Sequence, residues 1–228
     1  MPARVLSDRL QTVLDLLPGC HTLADVGCDH GYLSIEAVHS GKVLQAIASD
    51  IRPGPLAAAQ AHIHAEKLSD RIQVRLTNGL QGFHPGEVDG CVICGMGGMM
   101  IRTILEEAPI GVLEGLSSLI LQPQTETDEV RRALHGLGFR ICEERFVEDR
   151  GKYYTILRAE HGAEQYEDPF AYIYGILMFR DRNPVYRHWA EQRILKLADW
   201  SEAARDPQQK LKLEQEMRWL AARLSDKD

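Results

Sequence analysis

The residues best suited to chemistry lie in four short turns, each following a β-rich run. The first is Asp25-Val26-Gly27-Cys28-Asp29-His30-Gly31. Small residues there let a ligand approach the backbone, and a helix starting at the turn offers free N–H groups. The glycine spacing is G-x-x-x-G, not the G-x-G-x-x-G of dinucleotide sites. Two carboxylates within one short turn would repel a pyrophosphate. They suit a cationic ligand, such as the sulfonium and amino-acid ammonium of S-adenosylmethionine. The plainer alternative is a strand–helix turn in which Asp29 caps the helix.

The second turn begins at Asp50-Ile51, 23 residues after Gly27. A carboxylate at about that distance accepts both ribose hydroxyls of a nucleoside. The third, Thr77-Asn78-Gly79-Leu80, offers an amide for an adenine edge, or is simply a turn. The fourth is Cys94-Gly95-Met96-Gly97-Gly98-Met99. Three glycines in four residues entering a helix are costly unless the backbone must approach something closely. Many amino-methyltransferases carry Asp/Asn-Pro-Pro-aromatic at this point, and that motif is absent. A ring nitrogen is a different nucleophile and suits a different loop. Gln122-Pro123-Gln124 either lines the mouth of the site or turns the chain there.

The elements that position these turns follow from hydrophobic patterning. Thr22–Gly27, Leu44–Asp50, Ile72–Thr77, Val88–Cys94 and Ser118–Gln122 read as strands alternating with helical stretches. That alternation implies a parallel sheet wrapped by helices. Phe139–Val147 and Lys152–Arg158 are β-rich and joined by a turn too short for a crossover, so they form an antiparallel hairpin. The expected fold is α/β: a Rossmann-like seven-stranded sheet with a terminal antiparallel hairpin. Beyond Tyr166 the pattern becomes helical. Pro184 can open one helix, with Trp189, Leu195 or Ile194, Leu197 and Trp200 at helical spacing. Asp206-Pro207 interrupts, and Leu213, Met217, Leu220 and Leu224 form a heptad-like seam. Two such helices make an antiparallel hairpin. Residues 1–163 and 164–228 are therefore expected as two domains.

Composition narrows the class. The chain has 228 residues, 44% hydrophobic and 26% charged, which excludes a disordered chain or a repeat array. Its apolar runs are too short to cross a bilayer, and the N-terminus lacks a signal-peptide core, so a cytoplasmic protein without membrane attachment is expected. Five cysteines, mostly in apolar segments, fit a reducing compartment. Cys91 and Cys94 form a C-x-x-C with no second half to complete a zinc site, so no metal is expected. A net charge of −7 argues against a sequence-blind nucleic-acid coat. A local basic patch still suffices to hold phosphates.

Four stretches carry a family resemblance: LADVGCDHGYL, CGMGGMMI, LILQPQ and GKYYTIL. Through them the chain resembles the bacterial tRNA (adenine(22)-N1)-methyltransferases of the TrmK family. The resemblance implies a class I methyltransferase domain followed by a coiled-coil-like helical domain that binds tRNA. It implies S-adenosyl-L-methionine contacts at Asp25, Gly27, Asp29, Asp50, Asn78, Gly79 and the Gly95–Gly98 loop. Cys28, His30, Gly31, Ile51, Leu80 and Met96 are expected beside them. Asp29 is carried over as the near-catalytic carboxylate. Gly97 and Gly98 are expected to meet the base, with Tyr32 or Phe83 stacking on it. Arg180, Arg182, Arg187 and Arg193 are the basic candidates for tRNA. Ser34 departs from the family, which tends to have proline there. Residue chemistry alone leaves open a methyltransferase acting on a small molecule or protein, and a non-catalytic RNA-binding module.

Overall fold

The computed structural model describes residues 6–225, so the first residues of the N-terminal reading lie outside the described part. The chain divides into two compact units between Gln165 and Tyr166.

In the first unit, seven strands form one sheet: β1 (Cys20–Val26), β2 (Val43–Asp50), β3 (Ile72–Leu76), β4 (Gly90–Met96), β5 (Ser118–Pro123), β6 (Phe139–Asp149) and β7 (Lys152–His161). Their order is β3-β2-β1-β4-β5-β7-β6. Strands β1 to β5 pair in parallel, and β7 runs antiparallel to both β5 and β6. All of β5 is buried, so its apolar run is continuous rather than alternating, as expected for a strand covered on both faces. The hairpin turn at Arg150-Gly151 has positive φ at both positions, 53° and 75°. That is the turn geometry that matches strand twist.

Helices α1 (Asp8–Leu16), α2 (Tyr32–His39) and α3 (Pro53–Ala65) cover one face of the sheet. They pack over Leu23, Ala46, Ala48, Val92, Ile120 and Ile156. Helices α4 (Gly98–Glu106) and α5 (Thr127–Gly136) pack against each other. Arg131 of α5 donates to Glu144 of β6 at 2.8 Å, and both side chains are almost wholly buried. Breaking such a pair from one side strands a buried charge, which costs about 3–5 kcal/mol.

The second unit is helical: α6 (Pro169–Tyr174), α7 (Leu177–Arg180), α8 (Pro184–Ala203) and α9 (Pro207–Ser225). The two short helices add to the expected hairpin. Asn183 caps α8 by accepting from the N–H groups of Val185 and Tyr186, and Pro184 occupies the first turn. Arg187 meets the Leu224 carbonyl and Arg193 meets Glu216, so α8 and α9 run antiparallel. Leu197 and Leu220 are buried in the seam. Leu195 and Trp200 are not: both are exposed, and Arg193 lies over the Trp200 ring at 5.0 Å. The spacing placed Trp200 inside, but the helix turns it past the narrow contact stripe.

Candidate active site

In an open parallel sheet, ligands bind beyond the carboxyl ends of the strands where strand order reverses. Here the reversal lies between β1 and β4. A cavity of about 690 Å³ opens there, lined from the ends of β1, β2 and β4, from the turn after β3, and from α1. That volume suits a ligand of nucleoside size or larger.

Most of the residues picked from sequence meet in this cavity. Asp25, Gly27, Cys28, Asp29, His30 and Tyr32 line it from the first turn. Asp50 and Ile51 follow from the second turn, Asn78 and Gly79 from the third, and Gly95, Met96 and Gly97 from the fourth. Gly31, Leu80 and Gly98 stand outside the lining. Gly31 is the left-handed residue before α2, and Leu80 is fully buried. Gly98 packs so tightly that an added Cβ would lie 2.2 Å from the Glu126 carbonyl oxygen.

The acidic residues differ sharply in setting. Asp25 is buried, and Ser34 Oγ donates to its Oδ2 at 2.6 Å. Burial pushes the Asp25 carboxyl up to about 6, opposed by hydrogen bonds from the Ser34 hydroxyl and N–H and assisted by the nearby Asp50 charge. Asp50 Oδ1 accepts from the Arg52 N–H at 2.9 Å. Asp29 has a side chain 64% exposed and only a loose contact, 3.7 Å, with His30 Nε2. It sits at φ 50°, a region costly for a non-glycine residue. It does not cap α2: the N-cap is Gly31, without a side-chain bond.

The glycine loop is built by a bulge. Register between β4 and β5 shifts at Cys94/Met96, and Gly95 adopts φ 75° there. Gln122 Oε1 accepts the Gly95 N–H at 3.1 Å, the Met96 carbonyl accepts from Gln124, and Gly98 N–H donates to Thr125. The loop is therefore tied down at three points. Burial pushes the thiols of Cys28, Cys91 and Cys94 up, which keeps them protonated and inert. No group of three or more His, Cys, Asp or Glu able to hold a metal occurs among the described residues.

Two expected side chains stand elsewhere. Phe83 is 1% exposed and lies beneath the Arg75 guanidinium at 5.0 Å, outside the cavity, so it offers no face to a base. Its ring fills the space under the Arg75–Glu87 ion pair. Arg193 is committed to Tyr174 and Glu216. Tyr32 does line the cavity, with its ring stacked on His30 at 5.4 Å and tilted against His62 at 4.9 Å. Arg180 and Arg182 are exposed, with Arg180 near Asp181 at 3.3 Å, and Arg187 gives one N–H to Leu224.

Sequence reasoning missed Arg9 and Met100. Arg9 reaches the cavity from α1, donates to Gln122 Oε1 at 2.6 Å and lies over the Tyr154 ring at 5.5 Å. One arginine on an amphipathic helix carries no signal in sequence that it will face a site and meet Gln122, 113 residues later in the chain. Met100 follows the glycine loop and lines the cavity while more than half exposed.

A family model described as a methyltransferase domain matches residues 6–157. The tRNA (adenine(22)-N(1))-methyltransferase of Bacillus subtilis (strain 168) is 40% identical over 157 residues, 69% of this chain. The match spans 66% of that curated relative, just under two thirds of its length. Streptococcus pneumoniae Sp1610 superposes with a TM-score of 0.89 at 33% identity, covering 96% of this chain and 100% of that one. Sp1610 has also been solved in complex with S-adenosyl-L-methionine. The B. subtilis M1A22 tRNA methyltransferase TrmK superposes at 0.83 with 30% identity, over 97% of this chain and 99% of that one. The sheet with its terminal hairpin, the acid-lined first turn and the matched domain define a methyltransferase. Within that class, the chain belongs to the TrmK family.

Proposed function

We propose that this protein transfers a methyl group from S-adenosyl-L-methionine to N1 of adenine 22 in tRNA, acting in the cytoplasm. The observation that carries the reading is the cavity itself, where Asp25, Asp29 and Asp50 converge with the Gly95–Gly97 backbone at one sheet reversal. The TrmK relatives support the substrate, and the Sp1610 complex supports the donor.

The donor set fits a cationic nucleoside. Buried Asp25 faces positive charge, Asp50 at the end of β2 accepts ribose hydroxyls, and Asn78 with Gly79 flanks the adenine. S-adenosyl-L-methionine, when bound, supplies an electrophilic methyl on a sulfonium.

This chain's own residues then do three things. The Gly95–Gly97 backbone, fixed by Gln122 and Gln124, holds the target base at near-attack distance, about 3–3.5 Å. Adenine N1 has an in-plane lone pair, so no base is needed to deprotonate it. Positive charge arrives on the ring, and the Asp29 carboxylate stabilises it there. N1 lies on the Watson–Crick edge, so the nucleotide must leave its pairing and enter the cavity, where Tyr32 lines the wall. Residues 164–228 hold the tRNA, with Arg180, Arg182 and Arg187 as phosphate contacts.

The test is transfer of labelled methyl to unmodified bulk tRNA, followed by nucleoside mass analysis. One-methyladenosine, lost when A22 is replaced, is the expected product. Donor binding without a tRNA product would overturn the substrate assignment and favour a small-molecule or protein acceptor.

A further inference from the structure

Ser34 lies in the first turn of α2, and the structure gives it a partner. Its hydroxyl meets Asp25 Oδ2 at 2.6 Å with both residues buried, and its N–H, in the first turn of α2, bonds to the same carboxyl. The carboxyl nevertheless borders the cavity. We propose that Ser34 is a positioning residue that holds Asp25 as a seat for the cationic end of the methyl donor, and that Asp25 releases its proton as that cation arrives.

The groups around the seat explain why a proton is exchanged. Asp50 faces it from β2, Asp29 and Cys28 from the following turn, and Cys91 and Cys94 from β4. Arg9 on α1 and Arg52 at the start of α3 are cations that reach the same cavity, and Arg52 pairs with Asp50 at 3.4 Å. Burial first and the Asp50 charge second raise the Asp25 carboxyl to about 6, so in the free protein it is protonated below that pH. An arriving ammonium or sulfonium reverses that preference. The O–H bond of Asp25 breaks, the proton leaves to solvent, and the carboxylate pairs with the ligand. Ser34 favours the charged form through two hydrogen bonds, so it sets the pH at which the seat is ready.

This inference rests on reading the cavity as the donor site, and calorimetry on the full chain separates the two. Titrate S-adenosyl-L-methionine and S-adenosylhomocysteine into the wild type from pH 5 to 7.5, below the range in which their own α-amino group loses its proton, in buffers of different ionisation enthalpy. With the Asp25 midpoint near 6, donor affinity falls about tenfold between pH 7 and pH 5, and about half a proton is released per ligand at pH 6. Equal release with both compounds assigns the seat to the shared ammonium. Release with the sulfonium compound alone assigns it to the sulfonium. Ser34→Ala shifts the midpoint upward by about one pH unit or more, weakening binding about fivefold at pH 6 and little at pH 7.5. Ser34→Thr, which keeps the hydroxyl, returns the profile toward wild type. Affinity flat from pH 5 to 7.5 with no proton released would overturn the proposal, even if the variants fail to fold. An unshifted Ser34→Ala profile would overturn the role of Ser34. Failure of the wild type to bind either compound at any pH would overturn the donor reading and this inference with it.

Discussion

Asp25 and Asp29 are four residues apart, and the fold treats them in opposite ways. Asp25 is enclosed and its carboxyl is pushed up to about 6, whereas Asp29 projects from a left-handed backbone position with most of its side chain exposed. We expect Asp29→Ala to keep the fold while lowering kcat by roughly 10²–10³, the loss typical of one charge-stabilising group. Single-turnover methylation measures this, and an unchanged rate would remove Asp29 from the mechanism. Asp25 carries a stability consequence whose sign follows from linkage. Its folded value lies above the ordinary 3.8, so the native state binds more protons than the unfolded chain between about pH 4 and 6. Its contribution to stability therefore falls as pH rises through that window. Asp25→Asn should unfold at higher urea than wild type at pH 7, by up to about 3 kcal/mol, and show no such gain at pH 4. The same variant should bind the donor poorly. Both aspartates were legible in sequence as a closely spaced pair in a glycine turn. Their unequal burial was not, because Ser34 and Cys91, which enclose Asp25, come from other elements.

At the scale of elements, the glycine loop joining β4 to α4 is the joint on which the site depends. Gly95 supplies a positive-φ bulge, and Gly98 lets the helix start against the Thr125–Glu126 backbone. Gly98→Ala places a methyl 2.2 and 2.5 Å from two backbone carbonyl oxygens that cannot swing aside. We expect a loss of about 1–3 kcal/mol in chemical unfolding. Gly97→Ala meets Thr125 Oγ1 at 3.3 Å, the tip of a side chain that can rotate, and should cost far less. Equal losses from the two variants would contradict this division of labour. The sequence showed three glycines, but not which of them served packing and which served the cavity. That distinction depends on the β5–α5 turn, more than 25 residues downstream.

For the molecule as a whole, charge bears on the proposed tRNA role of the second unit. Residues 166–228 carry 11 basic and 11 acidic side chains, so affinity for an anionic RNA must come from placement rather than net charge. We expect replacing Arg180 and Arg182 together by alanine to weaken tRNA binding while leaving donor affinity intact. The slope of log binding constant against log salt should become shallower by about one for each arginine lost. An unchanged salt dependence would mark these arginines as solvated surface. The alternation of apolar runs and turns was enough to determine seven strands, the hairpin and the helical C-terminal unit, because periodicity of burial is a local property of the chain. It also determined which strand ends could carry chemistry, since the first four run into turns that hold glycine, with aspartate or asparagine in three of them. Only the tertiary structure decided that Arg9 and Met100 face the cavity, that Phe83 and Arg193 are spent on packing and ion pairing, and that Ser34 holds Asp25. Those outcomes depend on which residues from distant elements meet, and no local pattern encodes a partner far along the chain.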